Sequence, residues 1–189
     1  MSPRKGLDLT TVVEAAAAIA DEQGIQEVTL ASLAHKLGVR SPSLYNHVNG
    51  LKGLRNQLAI YGLGKLTDAI NGSLEGKKGD EAIHAIAAAY IAFARKHPGL
   101  YELTLRSPDA DDAAYAASGQ ALVELLVDRL SFYKLDRETS IHIVRGFRSI
   151  LHGFAAIEQK GGFGMPQPID ESLNIIIQTY IHGLRMHEQ

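Results

Sequence analysis

Apolar positions recur at spacings of three and four along most of the chain, and polar turns break the pattern at short intervals. A first helix is expected over about 8–23, where Val12, Ala16, Ile19 and Ala20 share a face. Asp8 or Thr10 can cap its start, and Gly24 can take the left-handed closing conformation. Thr29 caps a short helix over 30–37 that Gly38 closes. Ser41-Pro42 opens a second short helix ending near His47; Ser41 is a good cap, and proline suits a first turn, where no amide bond is lost. Asn49-Gly50 breaks the chain before a longer helix over about 51–74, and Gly76-Lys77-Lys78-Gly79 marks a module boundary. Further helices are expected over about 80–97, ended by Pro98-Gly99, and over 100–106. Another runs from Ser107-Pro108-Asp109 to near Tyr133, and one capped by Asp136 reaches Lys160. After the loop 161–168, Asp170 caps a last helix that ends near His187. No alternating β-branched run suggests a strand, so the expected fold is all-α, with about nine helices.

Composition adds limits. The 189 residues are 46% hydrophobic and 21% charged, which suits a globular core. The chain has no cysteine, so disulfides, zinc-thiolate sites and cysteine nucleophiles are excluded, and a reducing cytoplasm is the expected compartment. The start is polar, without a signal peptide, and the most apolar stretch, 12–20, contains Glu14 and is too short to cross a bilayer. The net charge of -2 hides an asymmetry. From 28 through 67 there is no acidic residue, while Lys36, Arg40, Lys52, Arg55 and Lys65 fall there with His35 and His47. Arg4 and Lys5 add charge at the start, so residues 1–67 hold seven basic and five acidic side chains. A basic patch on a mildly acidic protein suits a module that touches phosphates.

The segment from Thr29 to Val48 has the mechanics of a helix-turn-helix. Gly38 permits the tight turn, Ala34 is small where the helices cross, and Leu33, Leu37, Val39, Leu44 and Val48 can fill the core between them. An α-helical second element leaves Pro42, Ser43, Asn46 and His47 facing out, with Tyr45 at the edge. Arg40 can fork onto guanine, Asn46 can pair with adenine and Ser43 can serve either. Tyr45, His47 and Thr29 suit phosphates.

These residues resemble the DNA-binding domain of the TetR family of repressors. The resemblance is carried by Thr29, Ala34, Gly38-Val39, Ser43, Leu44-Tyr45, His47 and Val48. It implies that Thr29, Tyr45 and His47 contact phosphates and that Arg40, Ser41, Pro42, Ser43 and Asn46 read bases. The family lysine six residues after the tyrosine is Leu51 here, and Lys52 beside it is the expected substitute. The second half resembles the TetR subgroup with a tryptophan-His-Gly C-terminal domain. The matching residues are Ala89-Tyr90, Phe93-Ala94, His97-Pro98-Gly99-Leu100-Tyr101, Leu151-His152-Gly153-Phe154, Gly161-Gly162-Phe163 and Gly183-Leu184, with Leu151 in place of the tryptophan.

The expected division is a DNA-binding domain over 1–50, connected through the helix 51–74, and a helical ligand-binding and dimerisation domain over 51–189. The expected function is sequence-specific repression, released from an inverted-repeat operator on double-stranded DNA by an unknown small-molecule effector. Two copies are needed to read such an operator. Two late helices offer apolar stripes for a homodimer, paired as a four-helix bundle: Ile143, Phe147, Ile150, Phe154 and Ile157, then Leu173, Ile176, Ile177, Tyr180, Ile181 and Leu184. The plainer reading of both stripes is core within one chain. The resemblance implies a ligand pocket, for which Tyr61, Tyr90, Phe93, Tyr101, Tyr115, Phe147 and His152 are candidates, although an aromatic on an apolar face is usually core.

Two alternatives stand beside this reading: a ligand-independent architectural or adaptor protein, and an all-α enzyme. Glu81-x-x-His84 has di-iron spacing but no second copy, and the glycine-rich loop at 161–164 lacks the Lys-Ser/Thr of a phosphate loop. No catalytic residue, metal site, cofactor or membrane partner is expected.

Overall fold

The computed structural model describes residues 7–105 and 112–186. Arg4, Lys5, Arg106, the expected helix start at Ser107-Pro108-Asp109, and His187 lie outside them. Among the described residues the fold is all-α, with eight α-helices and no strand: α1 (Leu9–Gln23), α2 (Leu30–Leu37), α3 (Gly50–Ser73), α4 (Gly79–Lys96), α5 (Pro98–Leu103), α6 (Ala113–Leu130), α7 (Arg137–Gln159) and α8 (Ile169–Arg185). The segment Ser41–Asn46, between α2 and α3, is a 3₁₀-helix and makes a ninth helical element; two shorter 3₁₀ turns follow α1 and α6.

Local caps set most of these ends. Asp8 accepts the Thr11 amide at 2.7 Å and starts α1. Asp136 does the same for α7, where the Thr139 hydroxyl and amide hold its carboxyl below the usual range. Asp112 accepts the Tyr115 amide at the start of α6. Two expected caps are replaced. Ser41 makes no capping bond; it lies inside the 3₁₀-helix, which Arg40 precedes. Asp170 sits in the first turn of α8 without capping it, because its carboxylate turns to Arg95 of α4. Pro98-Gly99 does more than end α4: Pro98 begins α5.

The chain packs as two compact units: Met1–Gly64 with Lys96–Ala116, and Lys65–Arg95 with Ala117–Gln189. This packing differs from the sequence division after residue 50, since it gathers the first half of α3 and all of α5 with the N-terminal helices. In the first unit, α5 docks on α1 by three devices. The Asp21 carboxylate accepts the Leu100 amide at 2.9 Å, supplying from α1 the side-chain cap that α5's own N-cap residue, His97, does not make. His97 Nδ1 lies 2.6 Å from the other Asp21 oxygen. Gly99 presses so closely on α1 that a Cβ there would overlap the carbonyl of Ala20.

In the second unit, Ile83, Ile86, Tyr90, Phe93, Val144, Phe147, Leu151, Phe154, Ile177, Ile181 and Leu184 are buried between the helices. Tyr180 reaches from α8 into the backbone of α7. Its hydroxyl donates to the carbonyl of Ile143 at 2.5 Å. Burial pushes the phenol up to about 12.

Candidate nucleic-acid interface

Thr29 and Ser32 form a reciprocal capping box at the start of α2, with each side-chain oxygen accepting the other residue's amide at 3.0 Å. The Thr29 hydroxyl therefore fixes the helix start. At the other end, Gly38 lies at φ 65°, and the amides of Gly38 and Val39 return to the carbonyls of His35 and Ala34. This doubly bonded left-handed closure is the one that best suits glycine. It turns the chain sharply into the 3₁₀-helix. Leu33, Ala34, Leu44 and Val48 are buried, while Leu37 and Val39 are half-buried.

The 3₁₀ geometry changes which side chains face out. Residues three apart eclipse each other in such a helix. Leu44 is fully buried, so Ser41 and His47 share its inward ridge and are half-buried. Pro42 and Tyr45 form an outward ridge, with Tyr45 61% exposed. Ser43 and Asn46 form the third ridge, half-buried and exposed respectively. The expected positions of Tyr45 and His47 are thus exchanged: the tyrosine stands out and the histidine lies at the edge. Arg40 is exposed just before the segment. Lys52, in the first turn of α3, is exposed, whereas Leu51 is half-buried, so the basic side chain nearest the family lysine position is the outward one. One charge of the acid-free stretch is met from outside it: Lys36 pairs with Glu22 of α1 at 3.2 Å.

The two apolar stripes of α7 and α8 divide. Phe147, Phe154, Ile177, Ile181 and Leu184 are buried in the protomer, so they are core residues of the second unit. Ile143, Ile150, Leu173 and Tyr180 are half-buried, and Ile157 and Ile176 are exposed. Ile175, which the stripe omitted, is 56% exposed. Ile143, Ile150, Ile175, Ile176, Thr179, Tyr180 and Gly183 line an open apolar groove of about 450 Å³. On α7 the outer face repeats Ile143, Gly146, Ile150, Gly153, Ile157 at alternating spacings of three and four, the register of a helix–helix seam.

The aromatic pocket candidates fall in both units. Tyr61, Tyr101 and Tyr115 belong to the first, where the Tyr115 hydroxyl donates to the buried carbonyl of Thr104. Tyr90, Phe93, Phe147 and His152 belong to the second. Phe147 borders a narrow apolar space of about 10 Å³ with Ile83, Ile86, Leu126, Leu130 and Tyr180. Among the described residues, no three His, Asp or Glu side chains gather as metal ligands, and no helix is long and apolar enough to cross a membrane.

Comparison with known proteins agrees with this architecture. Residues 83–180 match the family described as "Tetracyclin repressor-like, C-terminal domain". The chain is 42% identical, over its whole length and 98% of the relative, to the uncharacterized HTH-type transcriptional regulator YobS of Bacillus subtilis (strain 168). A protein of unknown function from Rhodococcus sp. RHA1 has the same fold, with a TM-score of 0.84, 23% identity, and coverage of 98% of this chain and 100% of that one. BioQ, solved with its natural double-stranded DNA operator, superposes with a TM-score of 0.66 at 23% identity, over 96% of this chain and 99% of that one. The tryptophan-His-Gly grouping rests on the motif resemblance alone.

Proposed function

The chain belongs to the TetR family of transcriptional regulators, and from that premise we propose that it binds an inverted-repeat DNA operator as a homodimer and represses transcription until a small molecule releases it. The observation that carries this reading is the set of exposed side chains on and just before the 3₁₀-helix. Arg40, Pro42, Tyr45 and Asn46 stand exposed on a segment anchored by Leu44 and Val48, within a stretch that holds no acidic residue. BioQ, of the same fold, was solved on its operator, which supports a DNA partner here. In functional terms, 1–50 is the reading module, connected through 51–74, and 51–189 carries dimerisation and the effector response. Such a regulator works in the cytoplasm and performs no catalysis.

In this reading Arg40, Ser43 and Asn46 contact bases, with Ser41 and Pro42 beside them. Thr29, Tyr45, His47 and Lys52 hold phosphates. The two groups separate by experiment. Asn46→Ala is expected to relax preference at one symmetric pair of operator positions, by ~1–3 kcal/mol per site for a bidentate contact. Tyr45→Phe is expected to weaken binding to every sequence by the same factor, because phosphates carry no sequence information. Affinities for an operator panel and for random duplex, measured at fixed salt, test both. Unchanged preference in the first variant, or sequence-selective loss in the second, would overturn the assignment.

One observation favours a ligand-independent architectural or adaptor protein. The narrow space beside Phe147 is only about 10 Å³, so an effector seated there requires the helices around it to move apart.

A further inference from the structure

A cleft of about 300 Å³ opens between α4 and α8 in the second unit. Its floor is apolar: Ala87, Ala88 and Ile91 from α4, with Leu173 and Ile177 from α8. The two alanines create it, since a larger side chain at either place would close the gap between the helices. Its rim is polar and carries His84, Asn174, Arg95 and Asp170. On α8, Asp170, Asn174 and Ile177 turn away from Ile175, Thr179 and Gly183 of the apolar groove, while Leu173 stands two turns before the groove residue Tyr180 on a shared rim.

The charges at its mouth do not balance. Glu158 grips Arg95 with both oxygens, at 2.9 Å to Nε and 2.7 Å to Nη2. This two-pronged pair accounts for the guanidinium's charge. Asp170 adds a second carboxylate to the same nitrogen, at 2.5 Å, through Oδ1 alone. One arginine against two carboxylates leaves an excess negative charge, and Asp170, whose side chain is 77% exposed, presents it beside the apolar floor. The charge favours a cation, and the floor favours an apolar body attached to it.

We propose that the α4–α8 cleft is a binding site for a small organic cation, an ammonium on a short apolar or aromatic body, with its charge at Asp170 and its body on Ala87, Ala88 and Leu173. The site is distinct from the aromatic candidates, and its occupancy needs no DNA, so its test is independent of the operator reading.

The test uses the full chain and three probes of nearly one shape: benzylammonium, neutral benzyl alcohol and anionic benzoate. Each is titrated while amide and imidazole NMR signals are followed. Benzylammonium is expected to bind saturably in the millimolar range, with shifts concentrated at His84, Ala88 and Asn174. Benzyl alcohol should bind more weakly and benzoate not at all. Asp170→Asn, on an exposed side chain that caps nothing, should weaken benzylammonium by about fivefold, the size of one partly exposed ion pair. Ala88→Leu, at an exposed position, should abolish binding by filling the floor. Benzoate binding as well as benzylammonium, unchanged affinity in the Asp170 variant, or no saturable binding of the cation would each overturn the proposal.

Discussion

Replacing Ile175 and Ile176 together by aspartate is expected to convert a dimer into folded monomers and to lower operator affinity by about a hundredfold or more. The two side chains are 56% and 37% exposed in the protomer, so charging them leaves the core of the second unit untouched. Across a two-fold axis each would meet its own copy or a neighbour on the same groove, and buried like charges are strongly unfavourable. The loss of DNA binding follows from linkage. Two reading segments held together engage the second half-site as an intramolecular step, and that gain, of order 10²–10⁴, disappears with the dimer. Sedimentation of the purified variant, with circular dichroism to confirm the fold, checks the first claim, and titration of an operator duplex checks the second. A variant that stays dimeric places the interface elsewhere. The choice of residues matters: Ile177 and Ile181 belong to the same stripe by sequence but are 1% and 5% exposed, so charging them would unfold the protomer and say nothing about the interface.

The second large effect is expected at Gly99. A methyl group there would overlap the carbonyl of Ala20, and a backbone atom cannot swing aside as a flexible side chain can. Gly99→Ala therefore forces α5 off α1, with loss of the Asp21 bonds to Leu100 and His97. Overpacking alone typically costs 1–3 kcal/mol, and with the lost bonds the expected destabilisation is about 3 kcal/mol or more. The matched control is Gly119→Ala, inside α6 with open space around it, which should be neutral or stabilising by about 0.5–1 kcal/mol. Urea unfolding of the two variants, compared at constant slope, distinguishes them. Equal stability would mean that α1 and α5 do not pack as described.

These two positions also mark where sequence reading succeeds and where it stops. The features legible in the sequence are local. Asp8, Thr29, Gly38 and Asp136 act within a few residues of themselves, and each takes the expected role. Asp170 has the same credentials as a cap, yet it turns to Arg95, a partner 75 residues away that no local pattern reveals. Gly99 reads as a breaker after Pro98, but its reason for being glycine is the Ala20 carbonyl. Apolar stripes on α7 and α8 were legible as stripes; which members face inward depends on how the helices rotate against one another, and Ile175 falls outside the stripe for the same cause. In the segment Ser41–Asn46 a short helical element was legible, but the directions of its side chains were not. Assuming 3.6 residues per turn puts Tyr45 at the edge and His47 outward, whereas the observed period of three turns Tyr45 outward and leaves His47 at the edge.

In the proposed function two copies of this chain read DNA through Arg40 to His47. The most direct test of this reading is selection of bound duplexes from a random library by the purified protein at near-physiological salt. Enrichment of an inverted repeat whose half-site centres lie one or two helical turns apart, roughly 34–36 Å per turn, is expected, with loss of that enrichment in Asn46→Ala at one symmetric pair of positions. Binding that selects no sequence and fades as salt rises would contradict it, leaving only the electrostatic affinity of a basic surface.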